Sequence, residues 1–113
     1  MKIYYSHSTN DYWGDTEHMQ KSIIYSKLKE LNIALSNIEI INPKNIQISE
    51  EDIKYLKGSY PYFLDMMRKY YFKAIDGCSL LCAFKDNKSK KYTHGVELEI
   101  EYAKISKIKV IEL

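Results

Sequence analysis

The sequence predicts an α/β fold, a small three-layer sandwich with helices on both faces of a mainly parallel sheet of four or five strands. Short runs of β-forming residues alternate along the chain with segments whose apolar residues recur at helical spacing, and this order favours a parallel sheet. The run CSLLCAF at 78–84 is almost continuously apolar, as is typical of a central parallel strand. Because the 113 residues contain no repeats or linkers, we expect one domain over residues 1–113.

The first strand and the first helix are predicted near the start of the chain. Residues 2–5, KIYY, form a β-rich run that ends at the polar loop SHSTNDYWGD. Asp15 or Thr16 can provide the N-cap of the helix that follows. The apolar residues of that helix recur at helical spacing: Ile24, Leu28 and Leu31.

The middle of the chain predicts a second strand and two helices. Residues 38–41, IEII, form a strand that stops at an Asn-Pro turn. Residues 49–56, SEEDIKYL, form a short helix with an acidic start. Residues 59–76 form the longest helix, with Pro61 suited to its first turn.

The last third of the chain completes a flavodoxin- or Rossmann-like order of elements. The apolar strand 78–84 is followed by a polar loop at 85–94, a helix at 95–106 and a final strand, KIKVIEL, at 107–113. In such sheets ligands bind beyond the carboxyl ends of the strands, near the point where the strand order reverses. For a flavodoxin-like order this point lies between the first and third strands. The loops that meet there are 6–15, 42–49 and 85–95.

The charge and hydropathy of the chain exclude several classes of partner. Seventeen Lys and Arg residues against fifteen Asp and Glu residues give a net charge of +2. Arg68 is the only arginine, whereas recognition of bases and phosphates relies largely on Arg. We therefore expect no specific nucleic-acid partner. No apolar run approaches the ~20 residues of a membrane span, and the start of the chain lacks the apolar core of a signal peptide. We expect no membrane partner and a cytoplasmic location.

The cysteines and histidines do not predict a metal site. Cys78 and Cys82 lie in the apolar run at 78–84, where two cysteines are usually small core residues. His7, His18 and His94 show no metal-ligand spacing. We expect neither a metal nor a cofactor.

Three glutamates at alternate positions of the last helix are not equivalent. On a helical wheel, Glu97 and Glu101 fall together in a polar gap between two apolar stripes, and Glu99 falls alone in the opposite gap. Burial between the stripes would raise the pKa of Glu99, while the nearby positive end of the helix dipole would lower it. A carboxylate that is ionised but poorly hydrated is suited to act as a nucleophile. The alternative is an edge residue whose carboxylate reaches water.

The segment GVELEIEYAKISKIKVI resembles the closing segment of the nucleoside 2-deoxyribosyltransferase-like family. In that family a glycine after a polar loop precedes, by four residues, a glutamate that is followed by a hydrophobic residue, a small residue, an aromatic residue and alanine. The matching residues here are Gly95, Glu99, Ile100, Tyr102 and Ala103. The segments EIINP and MRKYYFKAIDGCSLLCAF resemble the family's second strand and the helix leading into its third strand. The resemblance covers roughly residues 38–113.

This resemblance implies that Glu99 attacks the anomeric carbon of a nucleoside or nucleotide. A glycosyl ester would form as the base leaves, and water or a second base would resolve it, as in retaining glycosidases. The family commonly carries aspartates at the positions of Ser79 and Thr93, where they help to bind or protonate the base. A hydrolase, or a module that only binds a nucleotide derivative, tolerates their loss better than a transferase does.

The N-terminal segment KIYYSHSTNDYW resembles the first strand and following loop of TIR domains. The C-terminal segment also fits TIR-like proteins, and their catalytic glutamate again falls at Glu99. That resemblance implies cleavage of the nicotinamide glycosidic bond of NAD. A tryptophan common near the helix start in TIR-like proteins is Gly95 here, which favours the transferase-like family.

The remaining candidate residues lie in the loops that follow the predicted strands. Ser6, His7 and Ser8 could meet a phosphate or ribose, or they could only stabilise their own loop. His7 has a pKa range suited to an acid that protonates the leaving base. The other candidate ligand contacts are Asn10, which could bind ribose or make an Asx turn, Tyr5, which could stack on a base, and Asn42, Thr93, His94 and Gly95.

Two further groups of side chains are assigned roles, the first by aromatic character and the second by helical spacing. Trp13 and Tyr92 could also stack on a base, although packing is the default role for any one of eleven tyrosines. Met66, Met67, Tyr70 and Tyr71 are expected in the core or in an oligomer interface. Transferase-like proteins often complete their sites across a subunit boundary, so the resemblance also implies a homodimer or homotetramer.

Overall fold

The structure is a computed structural model that describes residues 1–56 and 64–113. Its four strands form one parallel sheet in the order β2-β1-β3-β4. The strands are β1 (Lys2–Ser6), β2 (Glu39–Ile41), β3 (Leu80–Ala83) and β4 (Lys109–Glu112). The order reverses between β1 and β3, so the α/β fold and the predicted switch point are confirmed.

The helices follow the predicted order with small shifts at their ends. They are α1 (Asp15–Glu30), α2 (Glu50–Leu56), a π-helical segment (Met67–Tyr71) that continues into α3 (Phe72–Asp76), and α4 (His94–Ile105). Part of the predicted long helix, at 59–63 with Pro61, lies outside the described residues. The predicted N-cap of α1, Asp15 or Thr16, is wrong. Gly14 occupies the N-cap position, and no side-chain hydrogen bond caps the helix there.

The alternation of side chains along β1 divides the interior into two cores. Ile3 and Tyr5 are buried against α1 through Ile24 and Leu28. Tyr4 points to the other face of the sheet and packs in the core that contains α3 and α4. Successive strand residues point to opposite faces, so one short strand anchors helices on both sides. The predicted three-layer arrangement follows from this alternation.

Two apolar residues at helix ends are exposed. Leu31 follows the last turn of α1 and is 38% exposed, and Ile105 at the end of α4 is 73% exposed. Cys78 and Cys82 are buried free thiols, as predicted. Within residues 1–56 and 64–113, no helix combines the length and apolar character needed to cross a membrane.

Candidate active site

Glu99 is the buried glutamate of α4. Its side chain is 5% exposed, whereas Glu97 and Glu101 on the same helix are exposed. The helix turns Glu99 towards the sheet between buried Val96 and Ala103. The helical wheel therefore distinguished Glu99 from the other two glutamates correctly. The side chain of Glu99 is desolvated, and the alternative of an edge residue whose carboxylate reaches water is wrong.

Two hydroxyl groups of β1 hold the carboxylate of Glu99. The Tyr4 hydroxyl donates to Oε2, and the Ser6 hydroxyl donates to Oε1 over 2.8 Å. Tyr4 and Ser6 are two positions apart, so both point to the same face of the sheet. Burial raises the pKa of Glu99 from 4.5 to about 7, and the hydrogen bonds from Tyr4 and Ser6 limit that rise. Glu99 is therefore partly ionised at neutral pH.

An open pocket leads to Glu99 at the carboxyl ends of the strands. The space between its walls is about 410 Å³, including open solvent at its mouth. The cap and first two turns of α4 contribute Thr93, Gly95, Val96 and Glu99. The other walls come from the β1–α1 loop, the turn after β2 and the π-helical segment: His7, Thr9, Tyr12, Pro43, Met67 and Tyr71. The pocket lies where the fold predicts a ligand.

His7 lines the pocket, but both of its ring nitrogens contact other protein groups. Nδ1 lies 3.0 Å from the Tyr5 carbonyl oxygen, and Nε2 lies 2.7 Å from Glu17 Oε2. The ring also stacks on Tyr5 with the two centroids 3.6 Å apart. Burial lowers the pKa of His7, and the contacts with Tyr5 and Glu17 oppose that change. A role as an acid towards a leaving base would require His7 to exchange one of these partners.

Glu17 of α1 is a buried anion that the sequence analysis did not single out. Asn42 Nδ2 donates to its Oε2 over 3.0 Å, the Trp13 N–H donates to its Oε1 over 3.2 Å, and the Lys44 ammonium donates to Oε1. Burial raises the pKa of Glu17, but the hydrogen bonds from Lys44, Asn42 and His7 outweigh it and bring the pKa to about 2. Glu17 thus stays ionised and ties α1 to the loops after β1 and β2.

Asp86 organises the loop after β3. Its Oδ1 accepts from the hydroxyl of Ser8 over 2.6 Å and from Asn10 Nδ2 over 3.1 Å, and its Oδ2 accepts the N–H groups of Lys88 and Ser89. The hydrogen bond from Ser8 is the largest of several that hold the pKa of Asp86 well below its ordinary value. Ser8 and Asn10, both predicted to contact a ligand, therefore join the β1 and β3 loops beside the pocket.

The other predicted ligand contacts divide between the pocket and the core. Thr93 and Gly95 line the pocket, and the Thr93 hydroxyl caps α4 by accepting from the Val96 N–H over 3.4 Å. Tyr5 and Asn42 are buried away from the pocket surface; the Tyr5 hydroxyl donates to Gln20. His94 is an exposed residue at the start of α4 and is not part of the pocket wall.

Trp13 and Ser79 lie outside the pocket wall. Trp13 is 80% exposed with a left-handed backbone, φ 66°, and the Lys44 ammonium lies 4.5 Å from the centre of its ring. Ser79 precedes β3 and its N–H donates to the carbonyl of Lys2 over 2.8 Å. It therefore lies at the amino end of the sheet, opposite the pocket. Ser79 is therefore not positioned to contact a ligand bound beside Glu99.

Sequence analysis missed several residues that shape the site. Tyr12 and Tyr71 line the pocket, although Tyr71 was assigned to the core or to an interface. Tyr4 could have been predicted, because it lies two positions before Ser6 on the first strand and therefore points to the same face of the sheet. The roles of Glu17 and Asp86 could not have been predicted from local patterns, since their hydrogen-bond partners are distant in the sequence.

Comparisons with known proteins assign no family to the chain. It matches no protein-family model, and a search of curated proteins finds no match. Among the described residues, no cluster of three or more His, Cys, Asp or Glu side chains is arranged to hold a metal ion. The geometry around Glu99 is therefore the feature from which a function can be inferred.

Proposed function

We propose that the protein cleaves or transfers the N-glycosidic bond of a nucleoside, nucleotide or NAD-like molecule, with Glu99 as the nucleophile. The observation that carries this proposal is a buried carboxylate, held by Tyr4 and Ser6, that forms part of the wall of an open pocket. A buried acid with a perturbed pKa in a cleft is the usual setting of a catalytic carboxyl group. Among the described residues that line this pocket, Glu99 is the only one with a carboxyl group.

The reaction proceeds in two displacements at the anomeric carbon. One carboxylate oxygen of Glu99 bonds to that carbon while the carbon–nitrogen bond breaks and its electron pair leaves with the base, which takes a proton from solvent water. Water, or the N–H nitrogen of a second base, then attacks the same carbon; the ester bond to Glu99 breaks, Glu99 leaves as a carboxylate, and the attacking group gives its proton to solvent. The hydroxyls of Tyr4 and Ser6 fix the orientation of the nucleophile, which favours a short approach to the reacting carbon.

The test is incubation of the purified protein with a panel of nucleosides, deoxynucleosides, their 5′-phosphates and NAD. Released base or nicotinamide is measured by chromatography. The Glu99→Gln variant keeps the size of the side chain and one hydrogen-bond acceptor but lacks the nucleophile, so we expect cleavage to fall at least about a thousandfold. The matched control is Glu101→Gln on the exposed side of the same helix, which should cleave like the wild type.

The results separate the proposed enzyme from a binding module. Release of base by the wild type and by Glu101→Gln, but not by Glu99→Gln, supports the proposal and identifies the substrate. Equal release by Glu99→Gln would refute Glu99 as the nucleophile. If no substrate is cleaved but one raises the melting temperature, the protein is a module that binds a nucleotide derivative without turning it over.

A further inference from the structure

Two tyrosine hydroxyls in the pocket have no protein partner within the described part of the chain. Tyr12 and Tyr71 are both half-buried and both line the pocket with Glu99. Among residues 1–54 and 64–113 and the backbone of residues 55 and 56, no group forms a hydrogen bond with either phenol oxygen. Each hydroxyl can donate one hydrogen bond and accept another, and neither capacity is used by the described part of the chain.

The other buried and half-buried tyrosines of the described residues behave differently. Each of them hydrogen-bonds a carboxylate or an amide oxygen, in the pairs Tyr4–Glu99, Tyr5–Gln20, Tyr70–Asp52, Tyr92–Glu112 and Tyr102–Asp76. Buried polar groups in folded proteins are normally satisfied in this way. Tyr12 and Tyr71 are therefore exceptions for their environment, and both exceptions occur in the same pocket.

The backbone that carries Tyr71 is also unusual. Met67–Tyr71 form a π-helical turn inside an otherwise α-helical segment. Such turns cost stability relative to a regular α-helix and occur frequently at functional sites. Met67 and Tyr71 stand at the two ends of this turn and both line the pocket. The turn thus contributes an apolar side chain and a hydroxyl to the same wall.

Both phenols lie close enough to Glu99 for its charge to act on them. Burial and the Glu99 carboxylate raise the pKa of Tyr71, and the same two causes raise the pKa of Tyr12 well above its ordinary value. Both phenols are therefore protonated at neutral pH and are available as hydrogen-bond donors. Because they approach Glu99 from the β1–α1 loop and the π-helical turn, they border the space that the reacting carbon would occupy.

We infer that the hydroxyls of Tyr12 and Tyr71 bind the sugar hydroxyl groups of the ligand beside Glu99. This inference rests on the proposed function, since it places the sugar at the nucleophile. A neutral hydroxyl that donates and accepts matches a sugar hydroxyl, whereas a phosphate would favour cationic side chains. The base then lies further from Glu99, towards the mouth of the pocket.

The experiment measures binding without turnover by isothermal titration calorimetry on Glu99→Gln protein. The probes are adenosine, guanosine, cytidine and uridine, each with its 2′-deoxy, 3′-deoxy and 5′-deoxy analogues. Tyr12→Phe and Tyr71→Phe are each added to the Glu99→Gln background. Tyr25→Phe on the exposed side of α1 is the matched control.

We expect each pocket variant to weaken binding of the parent nucleoside about 3- to 10-fold, the usual effect of losing one neutral hydrogen bond. The loss should disappear for the one analogue that lacks the partner hydroxyl, which is the signature of a direct pair in a double-mutant cycle. The melting temperature of the unliganded Phe variants should stay close to that of the parent, since neither hydroxyl bonds to the described protein.

Other outcomes overturn the inference. A loss that is equal for all analogues, or a large drop in melting temperature, would give the tyrosines a structural role. If neither variant weakens binding, or if no nucleoside binds at all, the sugar does not contact Tyr12 and Tyr71. Failure of the proposed function is detected separately, because the wild type would then release no base even where Glu99→Gln binds a nucleoside with the expected selectivity.

Discussion

Replacing Glu99 with glutamine should stabilise the protein in a manner that depends on pH. The folded protein raises the pKa of Glu99 from 4.5 to about 7, so ionisation of this group disfavours folding. Below pH 4.5 the carboxyl is protonated in both the folded and unfolded states, and it has no effect on the difference between them. As pH rises to about 7 the unfolded chain gives up its proton more readily than the folded protein, and stability is lost.

The magnitude follows from the two pKa values. Each pH unit between the folded and unfolded pKa corresponds to about 1.4 kcal/mol, so ionised Glu99 lowers the free energy of unfolding by about 3 kcal/mol above pH 7. Glutamine keeps the shape of the protonated acid and accepts a hydrogen bond from Tyr4 or Ser6. We therefore expect Glu99→Gln to match the wild type near pH 4.5 and to exceed it by about 3 kcal/mol at pH 8.

The assay is urea unfolding of wild type, Glu99→Gln and Glu101→Gln at pH 4.5 and pH 8. Taking the difference between variant and wild type at each pH cancels the titration of all other groups. A gain of about 3 kcal/mol also corresponds to a rise in melting temperature on the order of 10 °C. Glu101→Gln should show no such gain, because Glu101 is exposed. A difference between Glu99→Gln and wild type that is the same at both pH values would refute the assignment of a desolvated carboxylate.

Three further predictions follow from the same contacts. Cleavage should increase as pH rises through about 7, because only ionised Glu99 attacks; a rate that falls over this range would make Glu99 an acid. Tyr4→Phe should move the midpoint of that pH profile upwards, since its hydrogen bond lowers the pKa of Glu99, and an unchanged midpoint would contradict this role. Glu17→Gln should destabilise the protein by about 2 to 4 kcal/mol at pH 7 by leaving the Lys44 ammonium unpaired. Because the pKa of Glu17 is lowered to about 2, this difference should shrink in urea unfolding at pH 3, and a constant difference would argue against the ion pair.

The features that could be predicted are those that depend on the local periodicity of apolar and polar residues. Alternating strand and helix patterns predicted the order of elements. The helical wheel distinguished Glu99 from Glu97 and Glu101, because the angular position of a residue decides which face of the helix carries it. The location of the pocket followed from the strand order. Resemblance to known families added the role of Glu99, and that role remains a proposal.

The contacts that complete the site were not predictable in the same way. Glu17 and Asp86 are ordinary acidic residues in the sequence, and only the folded chain brings Lys44 and Ser8 to them. The π-helical turn has no recognised sequence signal, so Tyr71 was assigned by helical spacing to the core or an interface. Trp13, one candidate for base stacking, stands outside the pocket wall with Lys44 over its ring.

The alternation along β1 has a consequence for engineering this protein. Tyr4 and Ser6 hold Glu99 on one face of the sheet, while Ile3 and Tyr5 pack on the other face against α1. Repacking the α1 side can therefore change the stability of the protein while Glu99 keeps its two hydrogen bonds. Inserting or deleting one residue within β1 would exchange the two faces. A one-residue insertion or deletion in this five-residue strand would thus remove both the core contacts and the hydrogen bonds to Glu99.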